Sequence, residues 1–133
     1  MTYEDIKHLV GIPWVYKKAD CWAIFKMASE VIGREVKDLQ LPKESCLIDN
    51  INIFYDEMRS DSWSLTSSVK EGCAVVFFDR RNRPLHIGFA LNSDTVLHSM
   101  GSNTRVNSSS CDNIDSLIKK GFYKRYEVYN YNL

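Results

Sequence analysis

The feature that most constrains this chain is a change of hydrophobic period partway along it. Cys21, Ile24, Phe25, Ala28, Val31 and Ile32 recur at helical spacing. Further on, Leu85, Ile87, Phe89 and Leu91 alternate with His86, Gly88 and Ala90. The first pattern predicts an amphipathic helix that buries one stripe, and the second a strand that separates a large apolar face from a smaller one. Any fold for this chain must cover both surfaces.

The early helix is punctuated at both ends. Asp20 has the short acceptor side chain that suits an N-cap, and Gly33 closes the run. Cys21 then falls in the first turn, on the stripe that is to be buried. There the unpaired amides and the peptide dipoles present positive charge.

Elsewhere the elements follow from local signals. Thr2 and Asp5 have capping-box spacing, which predicts a short helix over Tyr3 to Val10 stopped by Gly11. Pro13, Trp14 and Tyr16 follow in an extended or looped approach to Asp20. A second helix is expected over Ile48 to Met58, with Trp63 and Leu65 anchoring a loop to the core. The apolar run Cys73 to Phe78 predicts a buried strand, Asp79 to Pro84 a polar turn, and Leu85 to Leu91 the alternating strand. Asn92-Ser93-Asp94 reads as a turn and Thr95 to Ser99 as the next strand. The polar stretch Ser102 to Ser110 connects to a short helix near Asp112 to Lys120, ended by Gly121, and aromatic-rich Phe122 to Tyr131 is a last strand. No internal repeat or linker divides the 133 residues, which suit one domain.

Charge and cysteine usage narrow the function classes. Seventeen basic side chains balance seventeen acidic ones, so no global field favours nucleic acid or an anionic membrane. Lys17-Lys18 and Arg80 to Arg83 read as solvated surface. No apolar run approaches the roughly eighteen residues of a membrane span. The acidic start Met1 to Ile6 lacks the blocks of a secretory signal, so folding in a reducing cytoplasm is expected. Cys21, Cys46, Cys73 and Cys111 form no C-x-x-C pair, which argues against zinc or a disulfide framework; no metal or cofactor is expected. Cys73 reads as a small buried apolar residue.

A thiol at a helix start suits nucleophilic chemistry, because the thiolate attacks carbonyls and a free cysteine near pKa of about 8.5 is mostly protonated. It needs an imidazole as its base. His86 lies on the strand face shared with Gly88 and Ala90, where room is left beside the ring, and His98 follows twelve residues later. A three-residue loop Leu91 to Ser93 would pair Ala90 with Asp94 and set His86 directly against His98; a two-residue loop would send His98 to the opposite face. His8 reads as solvent-facing. Trp14, Tyr16 and Trp22 flank the thiol, as core aromatics or as walls of a substrate groove.

At these residues the chain resembles the NlpC-type cell-wall cysteine peptidases, especially the branch found in phage tail-assembly proteins. The shared pieces are Gly11-Ile12-Pro13-Trp14, Asp20-Cys21-Trp22, Gly72 opening a strand, His86-Ile87-Gly88, Val96-Leu97-His98-Ser99 and Gly121-Phe122-Tyr123-Lys124-Arg125, in the family's order. The resemblance implies a papain-like α+β fold, with the nucleophile-bearing helix packed on an antiparallel β-sheet. It implies hydrolysis of peptidoglycan stem peptides, typically between D-glutamate and a diamino acid, with Cys21 as nucleophile, His86 as general base and acid, and His98 orienting His86. Trp14, Tyr16, Asp20 and Trp22 would line the substrate site, and the Cys21 amide would serve the oxyanion. Phage tail proteins are the partners it suggests, and a virion tail or the cell wall the place of action. The chain departs from the family at Trp14, where a tyrosine is common, around Lys17-Lys18, where a glycine pair is usual, and at Cys73, where an acidic residue is common. Two rival functions keep the same residues: a non-catalytic tail-assembly module that binds a peptide or partner, and a thiol amidase or acyltransferase on another substrate.

Overall fold

The computed structural model describes residues 2–15, 18–39, 53, 55–100 and 108–132. A helix α1 (Tyr3–Ile6) runs into a 3-10 turn (Lys7–Leu9), and α2 (Cys21–Val31) follows. Then come β1 (Trp63–Thr66), β2 (Ala74–Phe78), β3 (Pro84–Ala90), β4 (Thr95–Ser99), β5 (Ser109–Asn113), α3 (Ile114–Lys119) and β6 (Arg125–Tyr131). The six strands form one antiparallel sheet in the order β1-β6-β2-β3-β4-β5. This is the expected α+β architecture, with the cysteine-bearing helix on the sheet.

Local chemistry accounts for the helices. Thr2 and Asp5 close a capping box, the Thr2 amide donating to Asp5 Oδ2 at 2.7 Å. The helix is shorter than expected because the backbone tightens into the 3-10 turn before Gly11, which takes a positive φ of 84°. Asp20 caps α2 by accepting from the Ala23 amide at 2.9 Å. Asn113 does the same for α3, accepting from the Ser116 amide. Helical backbone occurs at 53 and 55–58, inside the expected second helix; 48–52 and 54 lie outside the described residues.

Each face of the sheet carries its own apolar cluster. On one, Ile24, Phe25 and Ala28 of α2 pack over Ile87, Phe89 and Leu97. On the other, Ile114 and Leu117 of α3 cover Val75, Phe77 and Val96. The period-2 alternation assigns the faces, so Ile87 and Phe89 lie under α2 while His86, Gly88 and Ala90 point to the α3 side.

Two sequence expectations are corrected here. Trp63 and Leu65 belong to a strand rather than a loop, because Trp63–Thr66 pairs along its length with β6. Only Trp63 is buried there, against Phe25 and Tyr131, while Leu65 is exposed. The segment near Asp112 is also a strand: β5 runs to Asn113 before α3 begins. Its Ser-Ser-Cys-Asp-Asn composition has little intrinsic strand preference, and pairing with β4 overrides it.

Candidate active site

The register between β3 and β4 decides how the histidines meet. Phe89 pairs with Leu97 and Ala90 with Val96, and the Leu91 amide donates to the Thr95 carbonyl at 2.8 Å. The loop is therefore Asn92 to Asp94, odd in length as required but one residue later than Leu91 to Ser93. Asn92 sets it by accepting from the Asp94 and Thr95 amides. Parity survives the shift and direct opposition does not. His98 stands across from Gly88 and reaches His86 diagonally.

That diagonal contact needs the glycine. A Cβ on Gly88 would collide with Val96 Cγ2 and lie 3.3 Å from the His98 Cβ. With hydrogen there instead, His86 Nε2 and His98 Nδ1 approach to 2.8 Å. Both rings are enclosed, with His86 5% and His98 0% exposed. Tyr123 lies parallel to the His86 ring, with centroids 5.5 Å apart and planes 5° apart, and Phe77 packs against both imidazoles. The room beside His86 is thus filled by Tyr123.

The chain of polar contacts continues outward. His98 Nε2 meets Asp112 Oδ2 at 2.8 Å, and Ser110 Oγ donates to the same oxygen at 2.8 Å. Ser110 sits opposite His98 in the β4–β5 register, with Asp112 two residues on and on the same face. Sequence reading missed Asp112, Ser110 and the stacking role of Tyr123. Once β5 is recognised as a strand, the even spacing of Ser110 and Asp112 is the signal that would have found the first two.

Cys21 enters from the α2 side. The paired residues of β3 and β4 are Phe89 with Leu97 and Ala90 with Val96. Alternation along β3 turns the Ile87 amide the same way as the Leu91 amide, toward β4. The Ile87 N–H reaches the Cys21 sulfur instead of a strand partner. The approach segment is tied down beside it, since Ser99 Oγ donates to the Ala19 carbonyl. Cys21 and Tyr123 lie close enough that a thiolate would oppose ionisation of the phenol. The structure therefore brings the thiol next to the residue that follows His86, within electrostatic range of the ring stacked on His86.

The electrostatics of the resting site depart from expectation. Burial pushes the Cys21 thiol up to about 12, and the Asp20 carboxylate adds to that. The amides of Ile87, Trp22 and Cys21 itself act in the opposite sense, as a helix start should, but they are outweighed. Burial and the neighbouring His98 hold His86 well below its usual range. The hydrogen bond from His98, then that from Ser110, holds the Asp112 carboxyl low against the opposing effect of burial. The resting cysteine and His86 are thus both neutral.

Among the residues expected to line a substrate site, Trp22 is a core side chain. It is 3% exposed, packs on Phe25 and donates from Nε1 to the Lys37 carbonyl, because the second position of α2 turns inward. Asp20 is 4% exposed and caps the helix. Trp14 is half-buried in the approach segment, and Tyr16 and Lys17 lie outside the described residues. Cys73 is buried with its thiol against Asn130, and His8 is exposed. Arg83 of the basic turn is paired with Asp79 at 2.8 Å. Among the described residues, no group of three or more His, Cys, Asp or Glu is arranged to hold a metal ion, and no helix is long and apolar enough to cross a membrane.

No family model matches the sequence, and no curated protein does. Among solved structures the fold is similar to the crystal structure of the NlpC/p60 domain of the peptidoglycan hydrolase SagA. The TM-score is 0.53 at 17% identity, over 94% of this chain and 92% of the other. The chain shares the papain-like NlpC-type fold.

Proposed function

We propose that the protein is a cysteine peptidase that cleaves peptidoglycan stem peptides, with Cys21 as nucleophile, His86 as general base and acid, and His98 as the group that orients His86. The observation that carries this reading is the Ile87 amide bonded to the Cys21 thiol, one residue along β3 from the buried His86–His98 pair. Support also comes from the fold shared with a peptidoglycan hydrolase domain.

In the proposed reaction the neutral pair is the starting state. His86 takes the thiol proton as the sulfur attacks the amide carbonyl, and it returns that proton to the leaving amine. Water, with His86 again as base, then hydrolyses the thioester. The Cys21 amide at the start of α2 would stabilise the oxyanion. Because burial opposes the thiolate, proton transfer is expected to accompany attack rather than precede it. The finer expectations are the bond between D-glutamate and a diamino acid, and service in a phage tail.

The raised thiol is also what a non-catalytic binding module with this fold would show, so turnover must be measured. Purified peptidoglycan is digested with wild-type protein and with Cys21→Ala, and the fragments are identified by mass spectrometry. New stem-peptide ends are expected with wild type, with a loss of roughly 10⁴-fold or more in the variant. Equal cleavage by both proteins would overturn the proposal. No cleavage by wild type under any loading would favour the binding module.

A further inference from the structure

The proton arrangement in the buried histidine pair follows from a residue outside the Cys-His-His set. A single hydrogen bond between His86 Nε2 and His98 Nδ1 can be made in two ways. If His86 carries its proton on Nε2 and donates, its Nδ1 keeps a lone pair and can act as a base. If His98 donates from Nδ1, His86 must carry its proton on Nδ1 and cannot accept one from the thiol. The pair alone does not distinguish these states. Both rings are enclosed, so water cannot select between them freely.

We propose that Asp112, anchored by Ser110, is the positioning residue that selects the reactive state. Its Oδ2 lies 2.8 Å from His98 Nε2 and accepts only if that nitrogen carries a proton. With one proton on His98, held on Nε2 by Asp112, its Nδ1 is bare, so His86 must donate from Nε2 and keeps its own Nδ1 free. The Ser110 hydroxyl holds the carboxylate from the far side at 2.8 Å. Asp112 stays ionised because it receives both hydrogen bonds while its side chain remains 41% exposed. Among the described residues, Tyr123 stacks on His86, and Cys111 and, from the end of α3, Lys120 interact electrostatically with Asp112. When His86 becomes an imidazolium during the reaction, the same orientation is retained, since its Nε2 already donates.

This assignment deepens the peptidase reading but is testable without it. Long-range proton–nitrogen NMR on histidine-labelled protein distinguishes the two neutral tautomers of each ring. Wild type is expected to show both His86 and His98 protonated on Nε2. Asp112→Ala should convert a substantial fraction of both rings to the Nδ1 form and lower kcat/KM on the order of 10²-fold with little change in KM. Asp112→Asn, which keeps an accepting oxygen, should fall between the two and serves if the alanine variant does not fold. A merely structural role would lower thermal stability and leave the tautomers unmoved. Wild-type His86 protonated on Nδ1, or unchanged tautomers in the folded variants, would overturn the assignment. Should the protein cleave no stem peptide, the peptidase reading fails and the tautomer result still decides this one.

Discussion

The two faces of the sheet are almost equally buried and are built on opposite principles. Under α2 the packing is dominated by rings and branched chains, with Phe25 in contact with Trp22, Trp63 and Phe89. On the α3 side, apolar residues of the same strands surround two imidazoles. Those imidazoles are tolerated because three of their four ring nitrogens are hydrogen-bonded in a chain that ends at a partly exposed carboxylate. One face contributes stability through area and shape. The other gives part of that area to a hydrogen-bonded polar chain, and the Cys21 thiol is bonded to the amide of Ile87, next along β3 from His86.

The sharpest way to break this contrast is to damage each face alone. Phe25→Ala removes a ring that is 0% exposed and should lower unfolding free energy by about 3–5 kcal/mol, read from urea melts. Activity per folded molecule should survive where the protein remains folded. A loss below about 1 kcal/mol would mean that the α2 face is not the main core. Gly88→Ala acts on the other face. The added methyl must displace Val96 or His98, at a cost of about 1–3 kcal/mol and with a fall in kcat out of proportion to stability. An unchanged kcat would show that the His86–His98 contact does not depend on that close approach.

A smaller effect sharpens the comparison through pH. His86 is held below its ordinary value of 6.5, so between those values the unfolded chain binds more protons than the folded one. Its contribution to stability is full above about pH 6.5 and is lost as pH falls through the folded value. Urea midpoints of wild type should therefore decline from pH 6.5 toward 5, and His86→Leu should flatten that slope. Parallel slopes would contradict the buried, neutral state of the ring.

Much of this arrangement is legible in the sequence where short-range rules operate. Asp20 and the Cys21 to Ile32 stripe specify α2 and its cysteine, because cap and period agree there. Period-2 alternation puts His86 on the correct face, and an odd loop keeps His98 with it. The exact loop was out of reach, since Leu91 can close the hairpin or begin the turn and only the Asn92 side-chain bonds settle it. Asp112 was hidden for a different reason. Its strand exists through pairing with β4, and in isolation Ser109 to Asn113 carries the signals of a loop and a helix start. Trp22 shows the remaining limit: an aromatic next to a nucleophile could line a groove or fill a core, and only the turn of α2 decides.

The central claim is that Cys21 and His86 act as one unit, and a kinetic cycle tests it most directly. Rates of stem-peptide cleavage would be compared for wild type, Cys21→Ala, His86→Ala and the double variant. Each single change is expected to remove nearly all turnover, and the double variant to be no slower than the worse single one. Losses that multiply in the double variant, or wild-type turnover in either single one, would contradict the account.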